Sequence, residues 1–411
     1  MATRLWAKVY YQDTYAGLLE QEPGGRCVFT YDSSYLISPN PKIAFLLPLR
    51  EEPFISENGL HPFFDNLVAE GWFQNAQARA LQVNANNRFA LLLGFGYDLM
   101  GAVSVIDPEP RKHITLDHAD DVTIAALLGR ASLSGIQPKL LVVKEGHTFR
   151  PVRENELSTH IAKLPMGSLQ DIAEVEYLTT LAIKTLLPED SIVELEIGSI
   201  ASISEKALII KRFDRTPNGK KIHFEEFNQL LGHASGDSKY DGSYEDMGRF
   251  INTTPGCIPV ETYRIYKRIL VCLLLGNTDA HFKNFAMFHT SDGLRLTPSY
   301  DLVSAARYKE YHSIALSIGG AQNLDIGALK AKHLVNMARA FKLNDKTICS
   351  VVEDLQQKLP SALAAIAESK IGTKHLQSKL IDMMEKRWKG SFVSIGQLLS
   401  QRQSKDGSSK N

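Results

Sequence analysis

Cysteine is scarce in this chain. Cys27, Cys257, Cys272 and Cys349 are four residues in 411, far apart and with no Cys-x-x-Cys pair. That spacing excludes a disulfide framework and a thiolate zinc site. Cys272 stands inside an apolar run and reads as a small buried residue rather than a nucleophile. Long hydrophobic runs are missing too. The longest, Ile269 to Leu275, is far shorter than the roughly 20 residues of a membrane helix. The opening Met-Ala-Thr-Arg-Leu-Trp-Ala-Lys lacks the apolar core of a secretory signal. An excess of charge of one sign is also absent, with 46 basic and 46 acidic residues. That balance argues against a protein whose main work is coating nucleic acid, though a local basic patch remains compatible with it. A soluble protein in a reducing, cytoplasmic setting, with no membrane partner, is the expectation.

What is present is ordinary globular composition: 44% hydrophobic and 22% charged residues, so most of the chain should fold. At 411 residues it is too long for one core, and two or three packed units are expected. Alternation in Leu5–Tyr11 and Cys27–Tyr31, broken by Glu22-Pro23-Gly24-Gly25, predicts paired strands joined by a turn. His61-Pro62 introduces helical spacing through Phe63, Leu67 and Trp72, and a second helix covers Asn87–Leu93 before Gly94-Phe95-Gly96. Asp107–Lys112 is the clearest linker. From Ile114 to Phe227 strands dominate, the best being Leu140–Val143, Thr159–Leu164 and Ala207–Phe213, with a helix over Ile172–Leu186. Beyond Phe227 the pattern turns helical. Ile265, Ile269 and Leu273 predict an amphipathic helix ending at Gly276, and several more helices fill Ile326–Leu399. The polar residues 401–411 read as a disordered tail. A strand-rich lobe followed by a helical lobe suits a ligand-binding cleft.

The most informative stretch is Gly276–Phe285 (GNTDAHFKNF). Phosphoryl transfer to a hydroxyl needs a carboxylate to orient the nucleophile and oxygen donors nearby for magnesium. Asp279 and Asn284 have the protein-kinase spacing, Asp followed five residues later by Asn, and Lys283 could neutralise charge on the transferring phosphoryl group. Spacing alone is weak: Asp406 and Asn411 share it, and an Asp between elements is usually a turn former. The continuation strengthens it. Phe285–Phe288 and Leu294–Leu296 predict a hairpin around Ser291-Asp292-Gly293, and the chain then delivers Asp301 as a second carboxylate for magnesium. A helix N-cap is the structural alternative for Asp301.

Upstream, Ala131–Lys139 (ASLSGIQPK) precedes a strand and could cradle phosphates through backbone N–H groups, although an ordinary turn accounts for it equally. Lys163, on a strand, could reach the α- and β-phosphates and Glu176 could pair with it; a lysine on a solvated strand face is the plainer account. Glu225-Glu226-Phe227 lies where strands give way to helices, the place of an adenine-binding hinge.

In order, Ser132–Lys139, Thr159–Pro165, Lys211–Arg215, Lys239-Tyr240, Asn277–Asn284 and Tyr300-Asp301 resemble the signatures of the HipA family of serine/threonine kinase toxins. Phe64–Leu67 and Gly101–Val103 resemble its small N-terminal domain. The resemblance implies an α+β, protein-kinase-like two-lobed fold with a small N-terminal α/β subdomain. Residues 1–110 would be that subdomain, 111–228 the strand-rich lobe with its Gly-rich loop, 229–400 the helical lobe and 401–411 the tail. It implies Asp279 as catalytic base and Asn284 and Asp301 as Mg2+ ligands. Ser134, Gly135, Ile136, Gln137, Lys139, Lys163, Glu225, Glu226, Phe227, His281 and Tyr300 would bind ATP. Ser132 matches the autophosphorylated serine of the family, while Ser134 gives the loop the double-serine form of its HipT branch. The implied partners are a HipB-like helix-turn-helix antitoxin, operator DNA through it, and an aminoacyl-tRNA synthetase as substrate. Two other readings stand beside this one: a small-molecule kinase, and a non-catalytic co-repressor that holds nucleotide as a structural ligand.

Overall fold

Alternation in LWAKVYY buries Ala7 and Val9 and exposes Lys8 between them. This segment, Leu5–Tyr11, is strand β1 of a computed structural model that describes residues 5–109, 120–129, 137–153 and 156–399. The chain forms two units, Met1–Ser168 with Glu194–Lys239, and Leu169–Val193 with Tyr240–Asn411. The first is rich in strands and the second in helices, the α+β class expected.

In the first unit, β1, β2 (Thr14–Gln21), β3 (Cys27–Tyr31), β4 (Phe54–Ser56) and β5 (Val103–Ile106) form an antiparallel sheet in the order β4-β3-β2-β1-β5. The expected pairing of β1 with β3 is therefore wrong, because β2 lies between them. Its sequence, TYAGLLEQ, does not alternate cleanly. Gly17 fits because a Cβ there would lie 2.2 Å from the Thr30 carbonyl oxygen across the pair. Helices α1 (Ser33–Ile37), α2 (Pro62–Asp65), α3 (Gly71–Leu81) and α4 (Arg88–Phe95) follow. The helical stretch expected after His61 is thus two helices, broken at residues 66–70. Helix α4 starts where expected, at the Asn87 cap, but runs through Gly94 and stops at Gly96. Gly94 faces the Leu81 side chain, where a Cβ would come within 2.6 Å.

A helix that the sequence did not announce, α5 (Asp121–Leu128), precedes the second sheet. That sheet is antiparallel, in the order β7-β6-β8-β10-β9, with β6 Lys139–Glu145, β7 Thr148–Pro151, β8 His160–Lys163, β9 Leu195–Ser199 and β10 Lys206–Lys211. β10 ends before Phe213 because Arg212 turns into a buried charge cluster. Arg212 makes two bonds to Asp214 (2.9 and 2.7 Å) and one to Asp98 (3.2 Å). Arg215 bridges the same two carboxylates at 2.5 and 2.8 Å, and Asp98 also accepts from the Ser158 hydroxyl and amide. All four charged residues are buried, two of each sign, and the Gly101 amide donates to Asp214. The cluster ties the end of the first sheet's segment to the second sheet. A short strand, β11 (Phe224–Glu226), runs into a one-turn helix, Phe227–Leu230.

The second unit contains α6 (Ile172–Leu186), α7 (Tyr244–Thr253), α8 (Val260–Leu275), a hairpin of β12 (Ala286–Thr290) and β13 (Gly293–Leu296), then α9 (Ala331–Ala340), α10 (Asp345–Glu368) and α11 (Lys374–Arg387). Helix α8 is present where Ile265, Ile269 and Leu273 placed it, but it is not amphipathic in place: its polar side is covered too. Arg268 and Arg264 pair with Asp190, and Lys267 lies between Glu189 and Asp354. Buried charges are tolerated there because each has a partner. Among the described residues no helix is long and apolar enough to cross a membrane.

Burial alone would raise the Asp98 carboxyl, but the Arg212 and Arg215 guanidiniums overcome it and hold the group at about 2. A depressed carboxylate favours the folded state above its unfolded pKa and loses that contribution as pH falls toward the folded value. Asp98→Ala should therefore cost about 3–5 kcal/mol in urea unfolding at neutral pH. The difference from wild type should narrow between pH 4 and pH 2, and a pH-independent difference would contradict this account.

Candidate active site

The site begins where α8 stops. Gly276 adopts a left-handed conformation (φ 77°), its amide returns to the Cys272 and Leu273 carbonyls, and the Asn277 amide reaches Cys272 at 2.8 Å. A Cβ at Gly276 would lie 2.5 Å from the Arg387 guanidinium, so space as well as φ requires glycine. The loop that follows is held on both sides of Asp279. Thr278 donates its hydroxyl to Tyr311 O (2.5 Å) and accepts the Ala315 amide (2.8 Å), and the Tyr244 hydroxyl donates to Ala280 O (2.9 Å). Burial pushes the Tyr244 phenol well above its usual range, so it remains a neutral donor.

Residues Phe282–Asn284 form one 3-10 turn with a reciprocal cap. The Lys283 amide donates to His281 Nδ1 (3.2 Å), and the His281 amide donates to Asn284 Oδ1 (2.9 Å). That second bond fixes which way the Asn284 amide faces, and its Nδ2 donates to Asp301 Oδ2 at 2.8 Å. The expected hairpin makes this meeting possible: β12 leaves the turn and β13 returns toward it, delivering Tyr300 and Asp301. The Tyr300 hydroxyl donates to Lys283 O at 2.7 Å, which fastens the returning strand to the loop after Gly276. Asp301 itself has φ 57°, and the next 3-10 turn starts from Ser304, so Asp301 is no helix cap. An amide oxygen with a second lone pair and a carboxylate are hard donors of the kind magnesium takes, and both are present here.

Asp279 is half-buried and accepts the Tyr240 hydroxyl at 3.0 Å. The Tyr240 ring stands edge-on to His281 at 5.1 Å. The Lys239-Tyr240 pair is the one sequence signal at this contact, and nothing in its spacing to Asp279 says that the two meet.

In the first unit, Lys163 is nearly fully buried on β8, and the register sets Lys139 of β6 directly opposite it. Two lysines at one cross-strand position place both side chains on the same face of the sheet. The Gln137 side chain donates to Leu164 O (2.7 Å), joining the starts and ends of these two strands. Ser132, Ser134, Gly135 and Ile136 lie outside the described residues. Glu225, Glu226 and Phe227 are buried; the Glu225 carboxylate accepts the Phe45 amide (2.5 Å) and Glu226 caps the one-turn helix. Glu176 is buried on α6, in the second unit.

A left-handed aspartate carries a backbone cost that glycine does not, about 1 kcal/mol or somewhat more. Asp301→Gly and Asp301→Ala both remove the acceptor of Asn284. The glycine variant should nevertheless be the more stable by about that amount in denaturant unfolding, and equal midpoints would show that the conformation is unstrained.

Comparison with known proteins matches this architecture along nearly its whole length. A family model described as the HipA N-terminal domain matches residues 7–106, and one described as the HipA-like C-terminal domain matches residues 131–363. The Sinorhizobium fredii protein Y4dM is 28% identical over 355 residues, covering 81% of this chain and 85% of its own. The serine/threonine-protein kinase toxin HipA of Shewanella oneidensis is 26% identical over 346 residues, 76% of this chain and 78% of its own. Among solved structures, HipA from the Shewanella oneidensis complex of HipA, HipB and operator DNA superposes with a TM-score of 0.75 at 21% identity, over 95% of this chain and 99% of that one. With both domain models matched in order, and the C-terminal one alone spanning more than half of the residues, the chain belongs to the HipA family of toxin kinases.

Proposed function

We propose that this protein is an ATP- and Mg2+-dependent serine/threonine protein kinase, the toxin of a HipA-type toxin–antitoxin system. The observation that carries the reading is the Asn284–Asp301 hydrogen bond, made by the same short loop that carries Asp279. Asp279 would orient the substrate hydroxyl and take its proton, and Lys283 would offset charge on the transferring group. Asn284 and Asp301 would hold Mg2+, which neutralises phosphate charge when bound. Lys139 and Lys163 would meet the phosphates, with Glu176 as the ion-pair partner of Lys163. The Ser134–Gln137 loop, Glu225–Phe227, His281 and Tyr300 would complete the nucleotide site.

Regulation would run through the serine-rich loop. A phosphate on Ser132 or Ser134 adds roughly two negative charges where nucleotide phosphates are to be received, and so opposes ATP binding. The double serine is the HipT-like form of the loop. A HipB-like antitoxin, and through it operator DNA, is the proposed partner. Support comes from the fold shared with the Shewanella oneidensis protein, whose solved complex contains both. An aminoacyl-tRNA synthetase is the proposed substrate.

Incubation with labelled ATP and magnesium should label the protein, with mass spectrometry placing the phosphate in the Ser132–Lys139 peptide. Asp279→Ala should lower the rate by roughly 10²–10⁴-fold, the usual worth of a positioned base. Wild-type protein that binds ATP but transfers phosphate neither to itself nor to a synthetase would remove the kinase reading.

A further inference from the structure

Asp301 stands in the left-handed region (φ 57°), which a residue other than glycine keeps only where its surroundings over-determine the backbone. The second unit supplies restraints on both sides of it. Before Asp301, the Ser299 amide donates to Ser191 O (2.9 Å) and the Val193 amide donates to Ser299 O (3.1 Å). After it, the Ser304 hydroxyl donates to Leu275 O (2.6 Å) and the Ser304 amide donates to Thr179 Oγ1 (3.2 Å). The Ala306 amide then reaches Gly276 O at 3.0 Å. Further on, Arg307 pairs with Asp171 (3.2 Å) and the Tyr308 hydroxyl donates to Gln170 O (2.9 Å), both just before α6.

Ser304 and Thr179 have no part in the chemistry above, yet both are buried. Leu275 is the last residue of α8, and a helix leaves its final carbonyls without an internal donor. The Ser304 hydroxyl supplies one. Thr179, on α6, gives its own proton to Val175 O one turn back (2.7 Å), so a lone pair is left for the Ser304 amide. Leu302, between Asp301 and Ser304, is buried too. Apolar burial is non-directional, however, and does not fix how a neighbouring carboxylate is turned. Hydrogen bonds three residues away do.

We propose that Ser304 and Thr179 are positioning residues for the metal site. They clamp the chain after Asp301 between α6 and the end of α8, and so hold Asp301 in the left-handed conformation that turns its carboxylate to Asn284. Their effect on the metal runs through the backbone, since both hydroxyls are spent on main-chain groups. This rests on the kinase reading above in one respect, that Asn284 and Asp301 hold Mg2+.

The test compares full-length wild type with Ser304→Ala, Thr179→Val and Thr179→Ser. Thr179→Val keeps the shape and removes the acceptor, whereas Thr179→Ser keeps the acceptor. Mn2+ serves as the probe for Mg2+, and EPR follows its binding to the protein in the presence of ATP. The Mn2+ dissociation constant should rise about tenfold in Ser304→Ala and in Thr179→Val, the loss expected for one buried hydrogen bond. Thr179→Ser should stay near wild type. The variant carrying both Ser304→Ala and Thr179→Val should lose less than the product of the single losses, because both changes free the same segment. In steady-state kinetics the Mg2+ concentration giving half-maximal rate should rise by the same factor, with KM for ATP at saturating Mg2+ unchanged. Unaltered Mn2+ affinity in the folded variants would overturn the proposal. A loss in Thr179→Ser equal to that in Thr179→Val would also overturn it, by tracing the effect to packing. The Thr179 pair decides the matter should Ser304→Ala not fold. Wild type that binds no Mn2+ with ATP would remove the proposal together with the metal assignment. Wild type that binds Mn2+ with ATP but transfers no phosphate would count against the kinase reading alone, since the Mn2+ comparison still decides the positioning role.

Discussion

The closed environment of α8 is the constraint from which the candidate site takes its form. Val260–Leu275 is buried on nearly every side, by apolar contacts along Ile265, Ile269 and Leu273 and by ion pairs along Arg264, Lys267 and Arg268. A helix held in this way cannot rotate or slide without uncovering paired charge. Its C-terminal end is therefore a fixed point, and the left-handed turn at Gly276 directs the chain from that point into the loop carrying Asp279. Arg387 closes the turn from outside, donating to Leu274 O at 3.3 Å. A cation among the last carbonyls of a helix is also favoured by the helix dipole.

From this point the site is assembled by backbone bonds more than by side-chain packing. Tyr244, Thr278 and Tyr300 each spend a hydroxyl on a main-chain carbonyl of the loop or beside it. The His281–Asn284 cap then leaves the Asn284 amide a single orientation, and the β12–β13 hairpin brings Asp301 to it. Directional bonds of this kind, more than packing, fix how Asn284 and Asp301 face each other. In the first unit the corresponding element is the Asp98–Arg212–Asp214–Arg215 cluster. It joins the segment after α4 to the end of β10 through charges that are satisfied only together.

Much of this was legible before the structure. Helix α6 has the expected limits, the hairpin leading to Asp301 is present, and α8 ends at the glycine that the pattern chose. These elements carry strong local signals: helical periodicity, a Ser-Asp-Gly turn, a terminal glycine. Where the local signal was mixed, the reading failed. β2 has a glycine and an irregular alternation that hide it, and apolar spacing continues across the break between α2 and α3 so that they read as one helix. Gly94 reads locally as a stop, but it is a contact residue within α4.

The residue types and their order determined by themselves that Asp279, Asn284 and Asp301 belong to one loop–hairpin segment, because fewer than 25 residues and one short turn separate them. They also determined the family, since its signatures follow one another along the whole chain. Only the tertiary structure decided what meets across long separations. That Tyr240 reaches Asp279, that Asn66 and Glu70 hold the loop before Tyr240, and that Lys139 faces Lys163 depend on how distant segments pack and on strand register. Hydrogen bonds of this kind are short-ranged and directional, so they exist only once burial has brought the partners within about 3 Å, and no local pattern encodes that approach.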